Sequence, residues 1–266
     1  MKPAPFEYQA PDSLSAAVEL LGPDATPLAG GQSLVPMLNL RLARPGLVVD
    51  LNRVAELGYV RVADGKLRIG ALTRQLEVER SPVVADGWPL LVQALRLVGH
   101  VAIRARGTVG GSVAHADPRA ELPVALTALG ARFHITSSGG ERAVSAEAFF
   151  RGPFWTVLEP GELLREIEVP ALAPGARTAF VERARTHGAF ASGGAAVVVV
   201  PGGPCAIALL GAASTAVRAA DAEARLAAGA AAAEVAELAV SGVPDDYRRA
   251  LLAALVREAI EEAGRT

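Results

Sequence analysis

Glycine and proline punctuate this chain from end to end. With 27 glycines and 18 prolines among 266 residues, a breaker falls about every six positions, and the chain is divided into short elements. Even the most apolar stretch, residues 195–213, is interrupted by Pro201-Gly202-Gly203-Pro204. Neither half can span a bilayer, and the broken run reads as a hairpin of two buried strands. The amino terminus, Met1-Lys2-Pro3-Ala4-Pro5-Phe6-Glu7, has no apolar run of signal-peptide length, so cytoplasmic residence and no membrane span are expected. The length suits one large domain or two to three small ones. It suffices to bury a core without disulfide or metal staples.

Between the breakers, periodicity assigns the elements. Leu14, Ala17, Val18 and Leu21 predict a helix behind Asp12-Ser13, stopped by Gly22. A strand over 26–29 runs into Gly30-Gly31, and a helix over 33–42 follows. Strands are expected over 47–51 and 67–72, and helices over 73–80 and 89–98. Residues 107–112 read as a glycine-bearing loop, and 118–129 as a helix with Pro118 in its first turn. Alternation over 131–136 predicts a strand turned back by Ser137-Ser138-Gly139-Gly140. Leu164, Ile167 and Val169 mark another strand before Pro170-Ala171-Leu172-Ala173-Pro174, the best boundary in the chain. Beyond it, strands over 180–183, 196–200 and 205–210 suggest an antiparallel sheet. Two alanine-rich helices follow, over 221–228 and 244–263. The second carries an apolar stripe of Tyr247, Leu251, Leu252, Leu255, Val256, Ala259 and Ile260. Strands and helices mingle without regular βα alternation, which points to the α+β class.

Several functions are excluded by inventory. Twenty-six basic against 28 acidic residues leave a net charge of −2, which gives no electrostatic footprint for nucleic acid. A single cysteine, Cys205, rules out an internal disulfide, a thiolate zinc site and an iron–sulfur cluster held by this chain alone. There is no GxGxxG, and Gly65-Lys66-Leu67 lacks P-loop spacing. No HExxH or GxSxG occurs. His115-Ala116-Asp117 could bring two metal ligands together, but no third is evident, so no metal is expected. No catalytic acid, base or nucleophile is assigned.

Two glycine pairs remain, Ala29-Gly30-Gly31-Gln32-Ser33 and Thr108-Val109-Gly110-Gly111-Ser112. Paired glycines allow close backbone approach to a ligand and turn successive N–H groups inward as an anion-binding nest. Where Ser33 opens a helix, the positive N-terminal end adds to that attraction. Two such segments could clamp the two phosphates of a dinucleotide without lysine or arginine. Glycine pairs also serve ordinary turns and caps, so spacing alone leaves that reading open beside the anion site.

The wider context of both pairs is more specific. Leu28-Ala29-Gly30-Gly31-Gln32-Ser33-Leu34-Val35-Pro36-Met37-Leu38-Asn39-Leu40-Arg41-Leu42, followed by Val49-Asp50-Leu51, resembles the first FAD motif of the flavoprotein subunits of molybdenum hydroxylases. Ile103-Arg104-Ala105-Arg106-Gly107-Thr108-Val109-Gly110-Gly111-Ser112-Val113-Ala114-His115-Ala116-Asp117-Pro118 resembles the second. Pro160-Gly161-Glu162-Leu163-Leu164, Ile167-Glu168-Val169-Pro170 and Tyr247-Arg248-Arg249 extend the likeness along nearly the whole chain. The family is that of the medium, FAD-binding subunit of aerobic carbon-monoxide dehydrogenase, similar also to the FAD domain of xanthine dehydrogenase.

The resemblance implies an α+β fold in which two small α/β lobes, 1–52 and 53–170, form the FAD-binding domain, and an antiparallel sheet with helices occupies 171–266. It implies FAD pyrophosphate on Ala29, Gly30, Gly31, Gln32 and Ser33, completed by Leu34 and Val35, and on Thr108, Gly110, Gly111 and Ser112. His115, Asp117 and Glu121 occupy family positions near the flavin and its ribose–adenine arm, Leu164 lines the adenine side, and Phe190 stands beside the isoalloxazine. Asp117, Glu121, His115 and Phe190 also have plain readings as helix cap, first-turn acid, loop histidine and core aromatic. Two positions depart from the family pattern: Ala105, where asparagine is common, and Ala189, where an acid is common. The function implied is an oxidoreductase subunit that passes electrons from iron–sulfur clusters through FAD to an external acceptor. Its partners would be a molybdenum-cofactor large subunit and an iron–sulfur small subunit, as a dimer of heterotrimers. A nucleotide-binding assembly module and a self-contained FAD oxidase are the alternatives.

Overall fold

The first lobe of the chain folds around a three-stranded parallel sheet, seen in a computed structural model that describes residues 2–265. It contains β1 (Glu7–Gln9), α1 (Leu14–Leu20), β2 (Ala25–Leu28), α2 (Leu34–Asn39) and β3 (Leu47–Asp50), with strand order β1-β3-β2. The Ser13 side chain caps α1 by accepting from the Ala16 amide. The central strand β3 buries Val48 and Val49, and Ala17, Leu21, Val49, Leu51, Val54 and Leu57 close into a small core that also takes in Leu163. Helix α2 is shorter than the periodicity predicts. Its end is set by Arg41, which adopts a left-handed φ of 59°, a conformation that no helix can continue.

The middle of the chain carries β4 (Val60–Ala63), β5 (Lys66–Gly70), α3 (Gln75–Arg80), α4 (Pro82–Gly87), α5 (Pro89–Leu97), α6 (Val101–Arg104), α7 (Val109–His115) and α8 (Glu121–Ala128). It continues through β6 (Arg132–Ser137), β7 (Gly140–Ser145), α9 (Ala146–Phe149), β8 (Phe150–Gly152), β9 (Trp155–Thr156) and β10 (Leu163–Val169). Five of these strands form a sheet in the order β4-β5-β10-β6-β7, antiparallel at every pairing. One face of that sheet contributes Leu67, Ile69, Phe133, Ile135 and Ile167, all buried, to a core shared with α3, α5 and α8, while α7 and α9 contact its strands.

Two expectations are corrected here. Residues 107–112 are not a free loop: the Thr108 side chain accepts from the Gly111 amide, and the segment from Val109 is helical. Helix α8 begins at Glu121 rather than at Pro118. The carboxylate of Asp117 accepts from the Arg119 amide, and the Ala120 amide donates to the Asp117 carbonyl, so Pro118 lies in a turn.

The last part comprises β11 (Arg177–Arg183), β12 (Gly193–Val199), β13 (Cys205–Leu210), β14 (Val217–Arg218), α10 (Ala220–Ala227), α11 (Ala232–Ala239) and α12 (Asp246–Arg265). The four strands form an antiparallel sheet in sequence order, and β12 and β13 make the expected hairpin. The sheet is buried on both faces. Phe180, Ala196, Val198, Ala208 and Leu210 join the core of the middle region, whereas Ala179, Val181, Ala195, Val197, Ile207 and Leu209 pack against the closing helices. There are three such helices where the sequence suggested two. The alanine-rich run after Gly229, whose φ of 83° ends α10, starts α11. The stripe of α12 is buried at Leu252, Leu255, Val256, Ala259 and Ile260, but Tyr247 is 76% exposed. Among the described residues no helix is long and apolar enough to cross a membrane.

Candidate cofactor site

The two glycine motifs, 80 residues apart in sequence, meet in the folded chain. A Cβ on Gly30 would lie 2.3 Å from the Arg106 carbonyl oxygen and 2.8 Å from the Gly107 Cα, and a Cβ on Gly111 would lie 3.4 Å from the Ala29 Cβ. Only glycine lets the backbone at residue 30 run this close to the segment 106–107. A small polar network fixes the approach. Asn52 donates to the Ala29 carbonyl at 2.9 Å, while Arg74 donates to the Asn52 side-chain oxygen at 2.7 Å and to the Arg106 carbonyl at 2.5 Å. Asn52 is itself oriented by Asp50, at the end of β3.

The first motif is the amide cradle. Gly31 has φ +72°, which turns the chain out of β2 and into α2. The backbone amides of Gly31, Gln32, Ser33 and Leu34 find no acceptor among the described residues, and Ser33 and Val35 are exposed. Four unspent donors at a helix start can receive an anion, and residues 30 and 31 add no side-chain bulk there. The Gln32 side chain bonds back to the Gly30 carbonyl at 3.0 Å and holds the turn. Ser33 does not cap α2 with its side chain, so its hydroxyl is free for a ligand.

The second motif is built differently. The Val109 and Gly110 amides donate to the Thr73 and Ala71 carbonyls, and the Gly111 and Ser112 amides donate to the Thr108 hydroxyl and carbonyl. These N–H groups are spent inside the protein and cannot form the expected nest. Gly110 is required by packing, since its Cβ would fall 2.5 Å from that of Ala71. What this segment presents is clearance at Gly111, the Ser112 hydroxyl and the start of α7 against the first loop. Thr108 is buried and caps the helix.

Around this junction the remaining expected residues fall in two groups. His115, in the last turn of α7, stacks tilted on Phe154 at 5.1 Å between ring centroids, and burial pushes its pKa down despite the Asp117 charge. Asp117 is buried and paired with Arg119, whose guanidinium lies 4.0 Å over the centre of the Phe190 ring. Asp117, Arg119 and Phe190 thus form one connected chain, and Phe190, 57% exposed, presents an open aromatic face. Glu121 opens α8 and is only 6% exposed; burial, with the Asp117 charge adding, pushes its pKa up to about 7. Leu164 stands apart: it is 2% exposed and packed in the central core, so it does not reach the open surface.

Three contributors escaped the sequence reading. Asn52 and Arg74 hold the two motifs together, yet nothing in their local sequence marks them. Glu182 on β11 is the third, and strand alternation could have found it, because it shares the inward face of Phe180. Burial and then the Glu121 charge push its pKa up to about 8.

His134, Glu166 and Glu168 bring ligand-type atoms within 4.8 Å of one another, but that grouping is already neutralised. Arg68 bridges both carboxylates, Lys66 binds Glu168 at 2.8 Å, and the Tyr59 hydroxyl donates to Glu166 at 2.6 Å. It is an ion-pair network on the sheet.

Residues 4–172 match the family model described as the FAD binding domain in molybdopterin dehydrogenase. The 6-hydroxypseudooxynicotine dehydrogenase complex subunit alpha of Paenarthrobacter nicotinovorans is 45% identical over 231 residues, covering 84% of this chain and 78% of that protein. Among solved structures, carbon monoxide dehydrogenase from Hydrogenophaga pseudoflava lacking the Mo-pyranopterin moiety superposes with a TM-score of 0.94 at 38% identity. That match covers 100% of this chain and 99% of the other. Quinoline 2-oxidoreductase from Pseudomonas putida 86 gives a TM-score of 0.91 at 37% identity, with the same coverage.

Proposed function

The chain belongs to the family of FAD-binding domains found in molybdopterin dehydrogenases, and from that premise we propose that it is the electron-transferring flavoprotein subunit of a molybdenum-containing hydroxylase. The observation that carries the site is the run of unspent amides from Gly31 to Leu34, in a loop seated by glycine contact on the 106–112 segment. In this reading the loop 29–35 holds the FAD pyrophosphate, and Thr108, Gly111 and Ser112 close it from the other side. His115, Asp117, Glu121 and Phe190 flank the rest of the cofactor.

The redox chemistry comes from the flavin when bound; the chain binds, orients and shields it. The backbone amides give charge-assisted hydrogen bonds, about 1.5–3 kcal/mol each. Their oriented N–H dipoles attract a diphosphate without an arginine or lysine. The chain's single cysteine cannot hold iron–sulfur clusters, which is why partners must supply them. An iron–sulfur small subunit and a molybdenum-cofactor large subunit are therefore the proposed partners, in a dimer of heterotrimers. This assignment is supported by the dehydrogenase complexes named among the similar proteins.

The test is reconstitution. The purified chain should take up FAD, whereas Gly31→Asp and Gly111→Asp should lose it. At Gly31 the side chain places a like charge where the phosphate sits, and its Cβ comes within 3.1 Å of the Val35 Cγ2. At Gly111 it collides with the Thr108 cap, 2.6 Å from the new Cβ. Dithionite should bleach the bound flavin, and a physiological substrate should do so only with the partner subunits present. Stoichiometric FAD in both variants sinks the cradle, and substrate-dependent bleaching of the lone chain sinks the subunit assignment.

A further inference from the structure

The loop 184–191 joins β11 to β12 and carries Phe190 out to the surface, yet it is fastened along its length. At its base the Ser192 amide donates to the Arg183 carbonyl at 2.7 Å, and within it the Ala189 amide donates to the Thr186 carbonyl at 3.1 Å. Gly188, with φ +77°, lies against the segment that leads into the second glycine motif. A Cβ there would fall 2.7 Å from the His100 Cε1 and 3.0 Å from the Gly99 carbonyl oxygen. Phe190 then meets Arg119, in the turn that follows the motif, with the guanidinium 4.0 Å from the ring centre. The loop therefore leans on both ends of the second motif.

Arg119 is aimed at that ring by a single carboxylate. Buried Asp117 accepts from the Arg119 amide at 2.9 Å and from its guanidinium at 3.3 and 3.4 Å. The loop itself contains no acid, so its contact with Arg119 is made by the aromatic face. A planar guanidinium stacks well on such a face. No other cation and no second ring lies over Phe190 among the described residues. One face of the ring thus carries Arg119, and the ring remains 57% exposed. With the Arg119 side chain 51% exposed, the ion pair adds little to stability, and its consequence lies at the ring.

The face of an aromatic ring is the negative end of its quadrupole, which is why a cation settles there. A cation on one face also draws π density toward itself, so the opposite face favours an electron-rich flat partner. We propose that Arg119 is a positioning residue for the flavin: it holds Phe190 in place and makes its open face electron-poor, so that the reduced cofactor, richer by two electrons, is bound better than the oxidised one. The reduction potential of the bound flavin is raised accordingly. This rests on the FAD reading and deepens it by naming what tunes the cofactor. Asp117 cancels the net charge of the pair, so the effect acts through the ring that Arg119 touches and not as a long-range field.

The experiment is a potential measurement on the full chain reconstituted with FAD, by stepwise dithionite reduction against a reference dye. Arg119→Ala should cut the preference for reduced over oxidised FAD about two- to fivefold, the worth of one exposed cation–π contact. For a two-electron couple that is a fall of about 10–20 mV. A purely structural contact would weaken both forms equally and leave the potential where it was. In a Phe190→Leu background, adding Arg119→Ala should shift nothing further. An unchanged potential in Arg119→Ala, or the same shift with and without the ring, overturns the proposal.

Trypsin digestion of the same apo proteins reads the contact without any cofactor. Arg185 is exposed in the loop, and cleavage after it follows the fraction of time the loop is open. Arg119→Ala and Phe190→Leu should each speed that cleavage about two- to fivefold, and the double variant should be no faster than either. Unchanged cleavage in both single variants shows that the contact does not hold the loop and overturns the proposal even if FAD binds. Failure of every protein to bind FAD, with the faster cleavage intact, refutes the cofactor reading and the redox role with it, while the contact itself stands.

Discussion

Gly30→Ala tests whether contact between the two glycine motifs is what makes the cofactor site. The added methyl would sit 2.3 Å from the Arg106 carbonyl oxygen and 3.0 Å from its carbon, against an ordinary contact near 3.4 Å. The obstruction is backbone, so no side-chain rotation relieves it, and the loops must part by about 1 Å. Overpacking of this kind costs about 1–3 kcal/mol. The same movement strains the bonds from Asn52 to Ala29 and from Arg74 to Arg106. It also misaligns the amides of residues 31–34 against the 108–112 segment. Loss of one charge-assisted phosphate contact, about 1.5–3 kcal/mol, weakens FAD binding by roughly ten- to a hundredfold. Urea unfolding of the apo chain and an FAD titration measure the two effects separately. A variant that unfolds and binds FAD as the native chain does would show that the approach of the motifs is incidental.

Two further outcomes follow from buried charges. Arg104 is 5% exposed, donates to Glu79 at 2.6 Å and to the Val98 carbonyl at 2.8 Å, and so secures the segment leading into the second motif. Arg104→Ala should lower unfolding free energy by about 3–5 kcal/mol, as expected when one partner of a buried pair is removed; a loss below about 1 kcal/mol in urea unfolding refutes this. The Glu168 carboxyl is held below the usual range by the Lys66 hydrogen bond, which with the Lys66 and Arg68 charges outweighs desolvation. A depressed folded-state pKa contributes stability that is complete above the unfolded value near 4.5 and lost as pH falls below it. Glu168→Gln should thus melt below the native chain at pH 7, with the gap closing toward pH 3. A gap independent of pH would assign the effect to packing.

Short-range patterns carried much of this protein in the sequence. The hairpin of β12 and β13 follows from two apolar runs split by Pro201-Gly202-Gly203-Pro204, and the buried stripe of α12 from 3.6-residue spacing, apart from exposed Tyr247. The cradle of the first motif was likewise local: Gly31 needs its positive φ, and Ser33 stands where the helix starts. The second motif misled for an equally local reason. A glycine pair reads as a loop, but the Thr108 cap and the carbonyls of Thr73 and Ala71 fix it as helix. Helix α8 started late because Asp117 turns the chain through Arg119 and Ala120 before the first helical residue.

What the sequence determined by itself, then, is which segments can approach an anion and which faces must be buried, because both depend on side-chain size and periodicity within a few residues. Which segments meet was decided only by tertiary structure. Gly30 touches residues 106–107, and Asn52 and Arg74 lock that contact. Each of these pairings is set by how three cores pack together, and no periodicity along the chain encodes the distance between residues that far apart.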